Sequence, residues 1–371
     1  MSDSFNNKDY NEYFRSLENR LQSESQRSKV QSSSKPVRRR SKRYRVIRIK
    51  PRAVVALIIV LVAVVLIALL ISKFAANKNS VSAKNTKSDI PRQDIVSENE
   101  AVAFKPRITD STLTLGDDKD AKGIIIINTE SGDIVAEKNH KTRLYPSSTT
   151  KVMTLLVAVE NIKDYNDTFT MSLDITDPLF VEGASVAGFL AGESITMTDM
   201  LYGTILPSGA DAAVGLAVKL SGSESEFVKL MNRKAAELGL KNTHFTNVSG
   251  LYNENHYTTA YDMAIILHAA MQNEICRKIL TTYQYTTSVT KQHPEGILLS
   301  STLFSHMYGT EPETATIEGG KTGFVNESGY CIASFGSNNT TKNEYIVVTL
   351  GSSSRWPAFY GQIELYKEFV K

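Results

Sequence analysis

The stretch Tyr145-Pro146-Ser147-Ser148-Thr149-Thr150-Lys151-Val152-Met153-Thr154 places a hydroxyl and an amine three residues apart at the head of an apolar run. Pro146 suits the first turn of a helix and the serines suit a cap. Residues Val152 to Val159 (VMTLLVAV) are apolar nearly all round, which predicts a buried helix beginning near Ser148. On such a helix Ser148 and Lys151, at i and i+3, share a face. Ser and Lys meet at this spacing by chance in many helices, so the rest of the chain must decide whether the pair does chemistry.

Charge divides the 371 residues unevenly. Residues 1–52 carry fifteen Lys or Arg against five Asp or Glu, whereas residues 53–371 carry twenty-seven against thirty-four. A concentrated basic block serves nucleic acid or a membrane surface. The next segment chooses between them: Ala53 to Ile71 (AVVALIIVLVAVVLIALLI) is nineteen residues without a charge, close to the ~20 that a helix needs to cross a bilayer. Ten Lys or Arg lie between Lys35 and Arg52, which places the N-terminus in the cytoplasm and the rest of the chain outside. A cleaved signal peptide would carry a shorter apolar region, roughly 7 to 15 residues. The sequence therefore predicts a polar and basic cytoplasmic tail (1–52), one transmembrane helix (53–72), an extracytoplasmic linker poor in large apolar residues (73–111) and a folded domain (112–371). Topology accounts for the basic block, and no nucleic-acid partner is expected.

Within the domain, Gly123–Asn128 and Ile134–Lys138 flank a Gly-containing turn and read as a hairpin. Helices are expected over Asp199–Leu206, Asp211–Leu220, Glu224–Leu238 and Thr259–Met271, strands over Gly329–Phe335 and Tyr345–Gly351, and a terminal helix over Ala358–Val370. Strands at both ends with helices between them predict an α+β domain: an antiparallel sheet packed with helices, plus an all-helical subdomain. Cys276 and Cys331 are too few for a disulfide framework, and both pairing and two buried thiols stay open. The six histidines show no ligand spacing and no phosphate-binding glycine loop is present, so no metal site or cofactor is expected. Ser148 also lacks the GxSxG setting of an α/β-hydrolase nucleophile.

Two further stretches lift the Ser148/Lys151 pair above chance. Ser208-Gly209-Ala210 follows Pro207 in a loop, and Lys321-Thr322-Gly323 follows Glu318-Gly319-Gly320 ahead of a strand pair. S-x-x-K, S-D-N and K-T-G in this order form the signature of penicillin-binding proteins and β-lactamases. The region from Thr112 to Lys371 resembles the serine D-alanyl-D-alanine carboxypeptidases, the low-molecular-mass penicillin-binding proteins. The segments Arg143–Thr154, Phe245–Leu251 with His256–Ala260 and Asp262, and Gly320–Cys331 all carry the likeness. The resemblance implies an enzyme that removes the terminal D-alanine of peptidoglycan stem peptides through an acyl-enzyme on Ser148, and that β-lactams acylate the same serine; the apolar segment before the domain adds an N-terminal membrane anchor.

Residue chemistry fits these roles. A serine hydroxyl needs a base, and burial beside a second cation would turn Lys151 into one. Lys321 would be that cation, Ser208 would relay the proton to the leaving amine, and Lys321 with Thr322 would hold the substrate carboxylate. Backbone N–H groups of Ser148 and Phe324 would cradle the oxyanion, and Arg355 offers a second carboxylate contact or a surface role. One departure stands out: the family's second motif commonly ends in Asn, whereas here Ala210 has no amide to brace Lys151. The rival readings are a β-lactamase, which needs a water-activating Glu for which Glu182, upstream of Ser208, has no supporting pattern, and a peptidoglycan-binding scaffold that has lost turnover.

Overall fold

The computed structural model describes residues 104–307 and 312–371; the tail, the apolar segment 53–72 and most of the linker lie outside the described residues. The central sheet has six strands in the order β1-β3-β2-β10-β9-β8. Its members are β1 (Leu113–Thr114), β2 (Gly123–Asn128), β3 (Ile134–Lys138), β8 (Ala315–Val325), β9 (Gly329–Asn338) and β10 (Glu344–Ser352). The expected hairpin is present, with Ile125 opposite Glu137, and β10 then pairs antiparallel with β2, joining the first strands of the domain to the last.

The run Ile124-Ile125-Ile126-Ile127 is apolar without alternation because both faces of the sheet are covered. Ile124 and Ile126 pack with Val347, Phe359, Ile363 and Tyr366 beneath the terminal helix α9 (Arg355–Phe369). Ile125 and Ile127 face the main core with Val348 and Phe335. That core is built by the helices α1 (Lys151–Asn161), α3 (Met197–Ile205), α4 (Ala210–Ser221), α5 (Glu224–Glu237), α6 (Ala260–Gln272) and α7 (Glu274–Leu280). Two shorter helices, α2 (Leu173–Val181) and α8 (Phe304–Met307), complete the set. Helix α1 is buried from Lys151 through Val159, as its unbroken apolar run requires.

Three expectations need correction. The sheet is mixed, because β1 pairs parallel with β3 at the sheet edge, where two residues suffice for a bridge that a hairpin pattern cannot announce. The helical part is not all-helical: β4 (Thr168–Thr170) pairs with β5 (Ser194–Thr196), and β6 (Gln284–Thr286) with β7 (Leu298–Ser300). Each is only three residues long, too short for alternation to show, and its β-branched and aromatic residues are held by the neighbouring helices. Finally, the end of the expected linker already belongs to the fold. Phe104 stacks on His268 with ring centroids 3.7 Å apart, Tyr261 donates to the Pro106 carbonyl, and Arg107 bridges to Asp133. Both cysteines are buried and unpaired; burial pushes the Cys276 thiol up to about 12, so neither is a ready nucleophile.

A buried polar network ties α9 to the sheet. Gln362 accepts from Thr349 Oγ1 at 2.9 Å and donates to Ser334 Oγ at 2.7 Å and to the Val347 carbonyl at 2.9 Å. Ser334 Oγ in turn meets the Tyr366 hydroxyl at 3.0 Å. Truncating Gln362 strands several buried polar groups at once, each with its own desolvation cost. Gln362→Ala should destabilise the domain by about 3 kcal/mol and lower Tm by roughly 6–12 °C in calorimetry; a change below about 1 °C would show that the network carries no net stability.

Candidate active site

The nucleophile segment opens as a 3₁₀ turn, Ser147–Thr150, and becomes α-helical at Lys151. The helix thus starts three residues later than the pattern predicts, yet the i, i+3 relation holds: Lys151 Nζ donates to Ser148 Oγ at 3.0 Å. Ser148 is half-buried, whereas Lys151 is 2% exposed. The amine also donates to the Ser249 carbonyl at 2.7 Å, and Ser148 Oγ lies 3.3 Å from that same oxygen.

Burial brings the Lys151 ammonium down to about 7, against a smaller opposing pull from the Asp211 carboxylate. Lys321, 1% exposed, is held well below the ordinary lysine range by burial and then by the charge of Lys151. The charge of Lys151 thus reaches Lys321 across the site, whereas the Lys151 shift itself comes from burial. Lys321 Nζ donates to the Thr322 carbonyl at 2.8 Å, and Thr322 Oγ1 meets Thr302 Oγ1 at 2.7 Å.

Glycine explains how β8 reaches the nucleophile. A Cβ on Gly323 would stand 2.7 Å from the Ser148 nitrogen and 2.9 Å from the Thr149 nitrogen, so any larger residue would push the strand off the turn. The close approach places Ser148 and Phe324 on one cavity of about 750 Å³, whose wall also includes Lys151, Ala210, Asn247 and Tyr252. The wall carries the carboxylates of Asp174, Glu182, Glu224 and Glu327 as well.

Not every expected residue meets the pair. Ser208 is buried at φ +66°, in the tight turn that starts α4, and no hydrogen bond joins its hydroxyl to Ser148 or Lys151 among the described residues. Arg355 is exposed at the start of α9 and is not part of the cavity wall. Ala210 is on the wall, beside Ser148 and Lys151, as the departure in the second motif implied.

The sequence reading passed over several residues that build the site. Asp211, fully buried, accepts the N–H groups of Ala187, Gly188 and Phe189 at 2.7, 3.1 and 3.2 Å, and so clamps the loop beside the cavity to the start of α4. Its position directly after the second motif was the available signal. His256, 2% exposed, has Nε2 2.8 Å from Thr150 Oγ1, while its Nδ1 accepts the Thr246 N–H at 3.2 Å. That Nδ1 contact makes Nε2 the protonated nitrogen, and burial holds the ring down at about 4, hence neutral near pH 7. The segment Phe245–Leu251 was marked by its family likeness, but the role of the Ser249 carbonyl was not legible there, because every residue has one.

Comparison with known proteins agrees with this geometry. The family model described as D-alanyl-D-alanine carboxypeptidase matches residues 110–354. The Bacillus subtilis D-alanyl-D-alanine carboxypeptidase DacF is 34% identical over 235 residues, 63% of this chain and 58% of its own length. The Escherichia coli DacA enzyme is 33% identical over 222 residues, covering 57% and 51%. The chain thus spans little more than half the length of these two relatives. Among solved structures, the Streptomyces K15 DD-transpeptidase superposes with a TM-score of 0.58 at 28% identity, over 71% of this chain and 98% of that one. Penicillin binding protein 5 from Haemophilus influenzae gives 0.59 at 27%, over 67% and 70%. By the extent of the family match and the site that the matched residues build, this chain belongs to the D-alanyl-D-alanine carboxypeptidase family.

Proposed function

We propose that this protein is a membrane-anchored serine DD-carboxypeptidase. It removes the terminal D-alanine from peptidoglycan stem pentapeptides through an acyl-enzyme on Ser148, and β-lactams acylate the same hydroxyl. The observation that carries the reading is the buried Lys151 amine, 3.0 Å from Ser148 Oγ and brought down to about 7. A neutral amine there accepts the hydroxyl proton as the oxygen attacks the carbonyl of the penultimate D-alanine. The Ser148–carbonyl bond forms, the peptide bond to the last residue breaks, and the departing amine takes a proton. Water then cleaves the ester and restores the serine.

Lys321 offers its N–H donors to the substrate's terminal carboxylate, whose negative charge would favour the ammonium that burial and Lys151 oppose, with Thr322 beside it. Ser208 serves as relay to the leaving amine once substrate bridges the gap. The N–H groups of Ser148 and Phe324 stabilise the oxyanion, a role supported by the close packing of Gly323 on the nucleophile turn. The apolar segment 53–72 holds the catalytic domain on the outer face of the membrane, where this substrate lies. Among the described residues no helix is long and apolar enough to cross a membrane; the support for this anchor is the uncharged run Ala53 to Ile71 and its basic flank.

Full-length protein in detergent should release D-alanine from a stem pentapeptide and become labelled by a fluorescent penicillin, and Ser148→Ala should abolish both. Labelling that survives Ser148→Ala would refute the assignment. Lys151→Gln should lower kcat by roughly 10²- to 10⁴-fold, the range of a lost general base. Because burial favours the neutral amine, kcat/KM should be low below pH 7, where Lys151 is protonated, and rise to a plateau as the amine loses its proton near 7. A profile flat from pH 5 to 9 would remove Lys151 from the base role. Deleting residues 53–72 should shift the protein from the membrane pellet to the soluble fraction.

A further inference from the structure

Among the described residues, Lys151 Nζ has two hydrogen-bond acceptors, Ser148 Oγ and the Ser249 carbonyl. A neutral amine has two N–H bonds and one lone pair, and it turns freely about the Cε–Nζ bond unless something holds it. An N–H committed to the Ser249 oxygen stops that rotation and lets the lone pair rest on the Ser148 hydroxyl. The second motif offers no side-chain help, because Ala210 presents only a methyl group to the cavity. Orientation of the amine therefore falls to a single backbone carbonyl.

What aims that carbonyl is the loop 246–251, and its hub is Asn247. Asn247 Oδ1 accepts the N–H of Gly250 at 2.7 Å and of Ser249 at 3.2 Å, and also the Ser249 hydroxyl at 3.3 Å. Its Nδ2 donates to the Leu251 carbonyl at 2.9 Å. One side chain thus folds residues 247–251 into a turn, in the manner of an Asx turn extended by one bond. Gly250 completes it at φ +82°, where a Cβ would run into the Ser147 carbonyl. The loop's other ties are a long Leu251 N–H contact to Ser249 Oγ at 3.4 Å, the bonds of Val248 to Thr154 Oγ1 and Glu224, and that of Thr246 to His256.

We propose that Asn247 is a positioning residue for the reaction at Ser148: its side chain aims the Ser249 carbonyl, which aims the Lys151 amine at the hydroxyl, filling the place left by the methyl group of Ala210. The inference rests on Lys151 being the base. The charged groups that face Lys151 are Asp211 at the start of α4 and Lys321 on β8, with Asp174, Glu182, Glu224 and Glu327 farther out on the cavity wall. Asn247 is neutral, so its removal changes no charge among them.

The test is the pH profile of D-alanine release by full-length wild type, Asn247→Ala and Asn247→Ser, with the active fraction titrated by fluorescent penicillin. Asn247→Ala should lower kcat by roughly 10- to 100-fold, the scale of a misaligned catalytic group, with KM within about threefold. Its acid limb should move to lower pH, because a strayed carbonyl no longer stabilises the ammonium. Asn247→Ser keeps a hydroxyl able to accept the N–H two residues on, and should recover most of the rate and the original limb. Wild-type kcat and limb in Asn247→Ala would overturn the proposal. A loss matched by a fallen active fraction, with the limb unmoved, would overturn it too, since that is a folding defect alone. Absence of D-alanine release from the wild type would instead strike the carboxypeptidase reading, and this inference with it.

Discussion

An amine removed from water is the constraint around which this domain is arranged. Lys151 lies at the head of α1 with almost no exposure, and among the described residues no carboxylate forms an ion pair with it; Asp211 acts on it only at a distance. Burying an ammonium without a paired charge is costly, and the group responds by giving up its proton more readily. That response is what suits a residue usually charged at pH 7 to the base role proposed for it, toward the hydroxyl one turn away.

The cost of holding an amine there is carried by the fold around it. The helical core seals α1 from Val152 through Val159, so the segment cannot slide outward to hydrate its lysine. On the other side the edge strand β8 presses its Gly323 against the nucleophile turn and brings Lys321 within electrostatic reach. The sheet that presents β8 is closed by pairing β10 with β2, strands more than two hundred residues apart in the chain. Catalytic geometry at Ser148 therefore depends on contacts among the first strands, the helical middle and the last strands together.

Electrostatics and hydrogen bonding divide the work. Burial lowers both lysines, the charge of Lys151 lowers Lys321 further, and Asp211 pulls Lys151 back up. Direction comes from neutral groups: the Ser249 carbonyl, the Asn247 amide behind it, and the neutral His256 that links the turn of Thr150 to the loop of Thr246. These braces add no net charge beside Lys151, although the Ser249 carbonyl, as acceptor of its N–H, favours the ammonium.

Much of the fold was legible because periodicity records burial. The four isoleucines of β2 declared a sheet covered on both faces, and the run after Lys151 declared a sealed helix. Elements of two or three residues, β1 and the small ribbons, escaped because periodicity needs length. The site was legible where side chains carry the chemistry: by itself the sequence determined Ser148, Lys151 and Lys321 as residue types able to attack, accept a proton and offer charge, and Ala210 as the missing amide. Only the tertiary structure decided what lowers the Lys151 amine, because its depression comes from exclusion of water, and which carbonyl it meets, because a backbone carbonyl is the same atom at every position and is selected only by where the chain puts it.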